Sequence, residues 1–157
     1  MPIKADTRWS EQALETLSRA GFRQGAARQS VVEVLAQEQC CLSASEIKSR
    51  LDADGQKIGS ASIYRALEAL HGLDLVRRVD TGDGQVRYEA EHTSGEHHHH
   101  TVCRRCGRVE TFDDARLERA IERVVSESDY EIETHDITLR GLCPDCARAS
   151  RGARRAR

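Results

Sequence analysis

Two pairs of cysteines bracket the second half of this chain and limit what it can fold into. CRRCG at 103–107 and CPDC at 143–146 are both C-x-x-C knuckles, and 36 residues separate Cys106 from Cys143. Brought together, Cys103, Cys106, Cys143 and Cys146 form a four-thiolate set, which suits a closed, tetrahedral structural zinc site. The chain between them must leave one knuckle and return to the other. Gly107 lets the first knuckle turn sharply. Four thiolates also suit iron, and a thiol redox switch can be built on the same residues. With 38% hydrophobic and 4% aromatic residues, any core is aliphatic and modest. A structural zinc, worth on the order of 10 kcal/mol to folding, matters in such a chain.

Six cysteines otherwise point to metal rather than disulfides, because the chain reads as cytoplasmic. No apolar run approaches the roughly 18 residues of a membrane span, and the opening MPIKADTRWSEQ lacks the apolar stretch of a signal peptide. No membrane association is expected.

Directly before the first knuckle stand four histidines, His97, His98, His99 and His100. The run is internal, so it is not a purification tag. In a strand, alternate side chains face opposite ways. His97 and His99 then share one face, and His98 and His100 the other. The spacing predicts two metal sites, each fed by one alternate pair, beside the cysteine site. Further ligands are open at this point: His71, His92, His135, Glu118, Glu89, Cys40 and Cys41 are the candidates.

The net charge of -2 hides a division. Residues 1–80 carry 11 Lys and Arg against 11 Asp and Glu; residues 81–147 carry 8 against 15; residues 148–157 carry five Arg and no acid. An acidic second half suits cation binding, so DNA contact falls to the first half and the tail. Residues 10–20 and 26–37 have helical periodicity. Ser43 and Glu46 have capping-box spacing and open a third helix, and residues 60–71 form a fourth. Residues 75–79 and 85–90, joined through Asp-Gly, read as a hairpin. Helices followed by a hairpin describe a winged helix-turn-helix. Residues 91–96 read as a linker. Beyond them the pattern predicts strands near 99–103 and 108–112, a helix after Asp113 and Asp114, a long strand over 131–142 and a disordered basic tail over 148–157. No HExxH or similar motif appears, so an enzyme is not expected.

The motifs LSASEI at 42–47, IGSASIYRAL at 58–67, GLDLVRRV at 72–79, YEA at 88–90, HHHHTVCRRCG at 97–107 and GLCPDC at 141–146 stand in an order that resembles the ferric uptake regulator family of metal-sensing repressors. The resemblance covers roughly residues 10–146. It implies an α+β chain: a winged-helix DNA-binding domain over 1–90, a hinge over 91–96, and an α/β metal-binding dimerisation domain over 97–147, followed by the basic tail. It implies a homodimer that binds a palindromic operator in double-stranded DNA when a regulatory metal is loaded. By position, Cys103, Cys106, Cys143 and Cys146 match the family's structural zinc. His97, His99, Glu118 and His135 match a site within the dimerisation domain, and Glu89, His98 and His100 match a site at the hinge. The fourth hinge ligand is commonly histidine; here that position is Cys41. A thiolate shifts preference toward zinc over iron or manganese. The expectation is therefore a zinc-responsive repressor of metal-uptake genes, with iron-, manganese- or peroxide-responsive members as the alternatives. Ser60, Ser62, Tyr64 and Arg65 on the recognition helix, with Arg28 on the second helix, are the expected DNA contacts.

Overall fold

Ser43 fixes the start of a helix by local chemistry. Its hydroxyl accepts from the Glu46 amide at 3.2 Å, and the Glu46 carboxylate accepts from the Ser43 amide at 2.7 Å. Replacing Ser43 by Ala is expected to cost about 1 kcal/mol. A urea midpoint unchanged by the substitution would show that this cap contributes nothing.

The computed structural model describes residues 7–23, 25–38, 40–82, 84–91 and 98–155. The chain divides into two units, Met1–Glu96 and His97–Arg157. The first runs α1 (Thr7–Arg19), α2 (Ala26–Ala36), β1 (Leu42–Ser43), α3 (Ala44–Ala53), α4 (Ser60–His71), β2 (Val76–Asp80) and β3 (Val86–Ala90). Trp9, Ala13 and Leu17, four residues apart, form the buried stripe of α1. They meet Val31, Val32 and Leu35 of α2, Ile47 and Leu51 of α3, and Ile63, Leu67 and Leu70 of α4 in one core. The strands form an antiparallel sheet in the order β1-β3-β2, with Arg78 opposite Tyr88. Its tight turn places Gly82 at φ 71° and Gly84 at φ 78°, conformations that glycine adopts freely. The result is a winged helix.

A buried arginine ties the wing to α3. Arg87 on β3 is 5% exposed; its guanidinium pairs with Glu46 of α3 and donates from Nε to Thr81 Oγ1 at 3.3 Å.

The second unit runs β4 (His99–Cys103), β5 (Val109–Phe112), α5 (Ala115–Ser126), β6 (Thr138–Gly141) and α6 (Pro144–Arg155). Its sheet has the order β5-β4-β6, β4 pairing antiparallel with β5 and parallel with β6. Asp114 caps α5, its side chain accepting from the amides of Arg116 and Leu117. The Arg116 guanidinium and these amides hold the Asp114 carboxyl down at about 2.

Two expectations are corrected. The long strand over 131–142 shrinks to Thr138–Gly141, with no regular structure over 131–137. Alternating side chains mark an extended chain, but pairing needs a partner, and β4 offers only His100 to Cys103 to this edge. The basic tail is helical as far as Arg155. Pro144 stands in the first turn, where its missing N–H costs nothing, and Asp145 complements the positive helix end. Ser150 Oγ and Arg105 Nη1 both donate to the Cys146 carbonyl, at 2.9 and 3.4 Å, so the helix is rooted at the second knuckle.

Candidate metal centres and nucleic-acid face

Cys103 ends β4, and Cys106 sits in the turn that follows. Gly107, at φ 74°, lets its amide donate back to the Cys103 carbonyl at 2.8 Å. Arg104 N donates to Gly141 O at 2.9 Å, which brings the end of β6, and thus Cys143, beside the first knuckle. Cys146 lies in the first turn of α6. The four sulfurs lie within 4.8 Å of one another, with Cys106 and Cys143 at 3.8 Å. Two sulfurs each about 2.3 Å from a tetrahedral ion lie about 3.8 Å apart, so the quartet fits zinc. Backbone amides, that of Cys143 first, pull the Cys103 thiol down to about 6. Burial and the neighbouring thiols push Cys146 up to about 12. One sulfur is thus ready as a thiolate, while another gives up its proton readily only beside a cation.

A second cluster lies wholly in the same unit. Glu118 of α5 is shared by two imidazoles: His99 Nε2 at 2.8 Å from one carboxylate oxygen and His135 Nε2 at 3.1 Å from the other. Their rings are 5.4 Å apart. His99 is 1% exposed. Two imidazoles and a carboxylate are a donor set for iron and other divalent ions. His97, assigned to this group by resemblance, lies outside the described residues.

The residues assigned to the hinge lie two on each unit. On the second, His98 and His100 stand edge to face with ring centroids 5.2 Å apart, so β4 does send alternate histidines to different neighbours. On the first, Cys41 is buried immediately before β1. The adjacent Cys40 thiol, burial and the Glu89 charge together push its thiol well above the ordinary range. Glu89 is buried on β3 and ion-paired with Arg77.

On α4, Ile63, Ala66, Leu67 and Leu70 face the core, and the opposite side carries the expected DNA contacts. Ser60, Tyr64 and Arg65 are exposed, and Ser62 half so. Tyr64 stands 53% exposed and takes no part in the core. Arg65 Nη2 donates to Ser62 Oγ at 3.1 Å. Arg28 is more constrained: its guanidinium lies 5.1 Å over the Phe22 ring and donates to Arg23 O. The wing arginines are paired with carboxylates, Arg77 with Glu89 and Arg78 with Glu68.

Sequence reasoning missed the Arg87–Glu46 pair and the closeness of Cys40 to Cys41, whose sulfurs are 4.0 Å apart. The first joins residues 41 apart and leaves no local signal. The second was visible as a doubled cysteine.

The model of the ferric uptake regulator family matches residues 19–140. The chain belongs to the ferric uptake regulator family. A ferric uptake regulation protein of Bacillus subtilis is 34% identical over 121 residues, 76% of this chain and 81% of that protein. A peroxide-responsive repressor of Staphylococcus saprophyticus is 26% identical over 136 residues, 87% of this chain and 90% of that one. The ferric uptake regulator of Vibrio cholerae superposes with a TM-score of 0.73 at 30% identity, covering 82% of this chain and 98% of its own. As a family member the chain is a metal-responsive, DNA-binding transcription regulator that forms dimers, and not an enzyme. Its α+β architecture is the family's, and its cysteine quartet fits the structural zinc. Among the described residues no helix is long and apolar enough to cross a membrane.

Proposed function

We propose that this regulator is a zinc-responsive repressor of metal-uptake genes that acts in the cytoplasm, as a homodimer on a palindromic operator. The observation that carries the zinc reading is the buried thiol of Cys41 at the mouth of β1, a soft donor where the family more often has imidazole. Cys41 and Glu89 on the DNA-binding unit, with His98 and His100 on the other, form the regulatory site. A dication bound there supplies one positive centre on which thiolate, carboxylate and imidazoles converge. By converging, the four side chains hold the two units at one angle.

In a dimer that angle sets the distance between two copies of α4, which must lie about 34–36 Å apart, or a multiple, to enter successive major grooves. Tyr64 and Arg65 read bases there, while Ser60, Ser62 and Arg28 contact phosphates. His99, Glu118 and His135, with His97, form a further metal site that steadies the dimerisation unit. The Arg residues of α6 add a salt-dependent attraction. The harder donors of the Glu118 cluster favour a second reading, in which iron or manganese is the effector.

The test is operator binding by protein that retains zinc only in the quartet, titrated with Zn²⁺, Fe²⁺ and Mn²⁺ at buffered free concentrations. Zinc is expected to tighten binding by roughly 5–150-fold. Cys41→Ser and His98→Ala are each expected to lose that response. If Cys41→Ser responds like the parent, or if only iron or manganese acts, the zinc reading fails.

A further inference from the structure

Cys40 has no place in the metal sites described above, yet its sulfur lies 4.0 Å from that of Cys41. Within the cysteine quartet, Cys106 and Cys143 are separated by 3.8 Å. The doubled cysteine therefore already has nearly the spacing of two thiolates that share one ion, about 3.8 Å at a tetrahedral centre.

The two residues are held differently. Cys41 leads into β1, whose Leu42 and Ser43 pair with Tyr88 and Arg87 of β3, and Ser43 is fixed further by the capping box. Cys41 is thus a buried, positioned donor. Cys40 is half-buried in the turn just before it, where a small movement of the chain adjusts the S–S separation.

We propose that Cys40 and Cys41 form a dithiolate clamp for a thiophilic metal ion, with Cys40 the residue that turns this locus away from iron and manganese. The clamp rests on the reading of Cys41 as a regulatory ligand and deepens it. A single thiolate among harder donors biases a site toward soft and borderline ions, and a second thiolate strengthens that bias. The half-buried Cys40 gives the ion its route in, and Cys41 holds it. Each thiol gives its proton to solvent as its sulfur binds, and no electron changes hands.

Cobalt(II) tests this in the full-length dimer with zinc retained in the quartet. Zinc outranks cobalt in affinity for such sites, so the quartet stays zinc-filled under reducing conditions. The thiolate-to-cobalt charge-transfer absorption grows with the number of sulfurs bound, which makes it a count of ligands. The parent is expected to show a two-thiolate intensity. Cys40→Ser is expected to show roughly half of it, and Cys40→Ser with Cys41→Ser none. Loss of groups that merely orient a ligand costs roughly 10–100-fold in metal affinity, so loss of Cys40 is expected to weaken cobalt at least about tenfold. Manganese binding, which gains little from sulfur, is expected to change by less.

His98→Ala separates this proposal from the hinge reading. If both Cys40→Ser and His98→Ala weaken cobalt, both readings hold. If only Cys40→Ser does, the clamp stands and the hinge assignment falls. A Cys40→Ser variant with the parent's intensity and affinity overturns the clamp. In that case weakening by His98→Ala keeps the hinge, and no change there sinks both. Because the intensity at saturation counts sulfurs, a variant with altered stability still distinguishes one bound thiolate from two.

Discussion

Cys103→Ser is expected to unfold the second unit while the first stays folded. Among its described residues that unit buries only His99, His100, Val102 and Cys103, all on β4, and α5 buries none. By contrast, the first unit closes around its own core from Trp9 to Ala90. The quartet joins the end of β4, the end of β6 and the root of α6, so losing one thiolate releases three elements. An intact site of this kind is worth on the order of 10 kcal/mol, as much as the whole stability margin of an ordinary domain, about 5–15 kcal/mol. Hydrogen exchange reads the outcome unit by unit: amides of β4, β5 and β6 lose protection, and those of α4 keep it. Dimerisation and operator binding go with the first set. Full protection of β4 in the variant would mean that packing, not the ion, holds the sheet.

Glu46→Gln is the second large effect, at about 2–3 kcal/mol. Glutamine still serves a capping box, so the substitution removes the charge facing Arg87 and little else. Removing one partner of a buried pair costs roughly 3–5 kcal/mol, because the other charge stays buried. Glu46 keeps 43% of its side chain in solvent while Arg87 keeps 6%, which places the cost at the low end or just below. Burial alone would raise the Glu46 carboxyl, but the Arg87 guanidinium and the Ser43 groups outweigh it and hold it low. A carboxyl depressed in the folded state contributes fully above its unfolded value and loses that contribution as the pH falls below. Urea midpoints of parent and variant should therefore differ most near neutral pH and converge in acid. Arg87→Met added to Glu46→Gln should recover much of the loss. A double variant no better than the single would show that Arg87 itself packs the wing.

The parts of the fold legible in the sequence are those set by neighbours along the chain. The Ser43–Glu46 box, the stripe of Ile63, Leu67 and Leu70, and the paired hairpin strands were readable because each is complete within a few residues, while Asp83 of the expected Asp-Gly turn lies outside the described residues. Beyond that range the reading failed in two ways. Residues 131–137 alternate like a strand, but beside the five-residue β4 the ladder begins only at Thr138, with Ile137 lending one carbonyl to the His100 amide. The Arg-rich tail reads as disordered, yet α6 is anchored by Arg105, which donates to the Cys146 carbonyl and to Ser150 Oγ, 41 and 45 residues away. The metal-binding residues divide along the same line. Knuckle spacing carries the quartet. Glu118 meets His99 and His135 only because the fold brings them across 19 and 17 residues. Spacing left that set open, and motif order supplied it.

The amphipathic α5 has a consequence for regulation. Leu117, Ile121 and Val125 are only half-covered, and Val124 is 65% exposed, in a single chain. If a second copy covers that stripe, the integrity of the metal-binding half is tied to mass action. Copy number then becomes an input alongside the metal: a cell that makes too few chains lacks a competent sensor at any metal concentration, and the response threshold drifts with expression level.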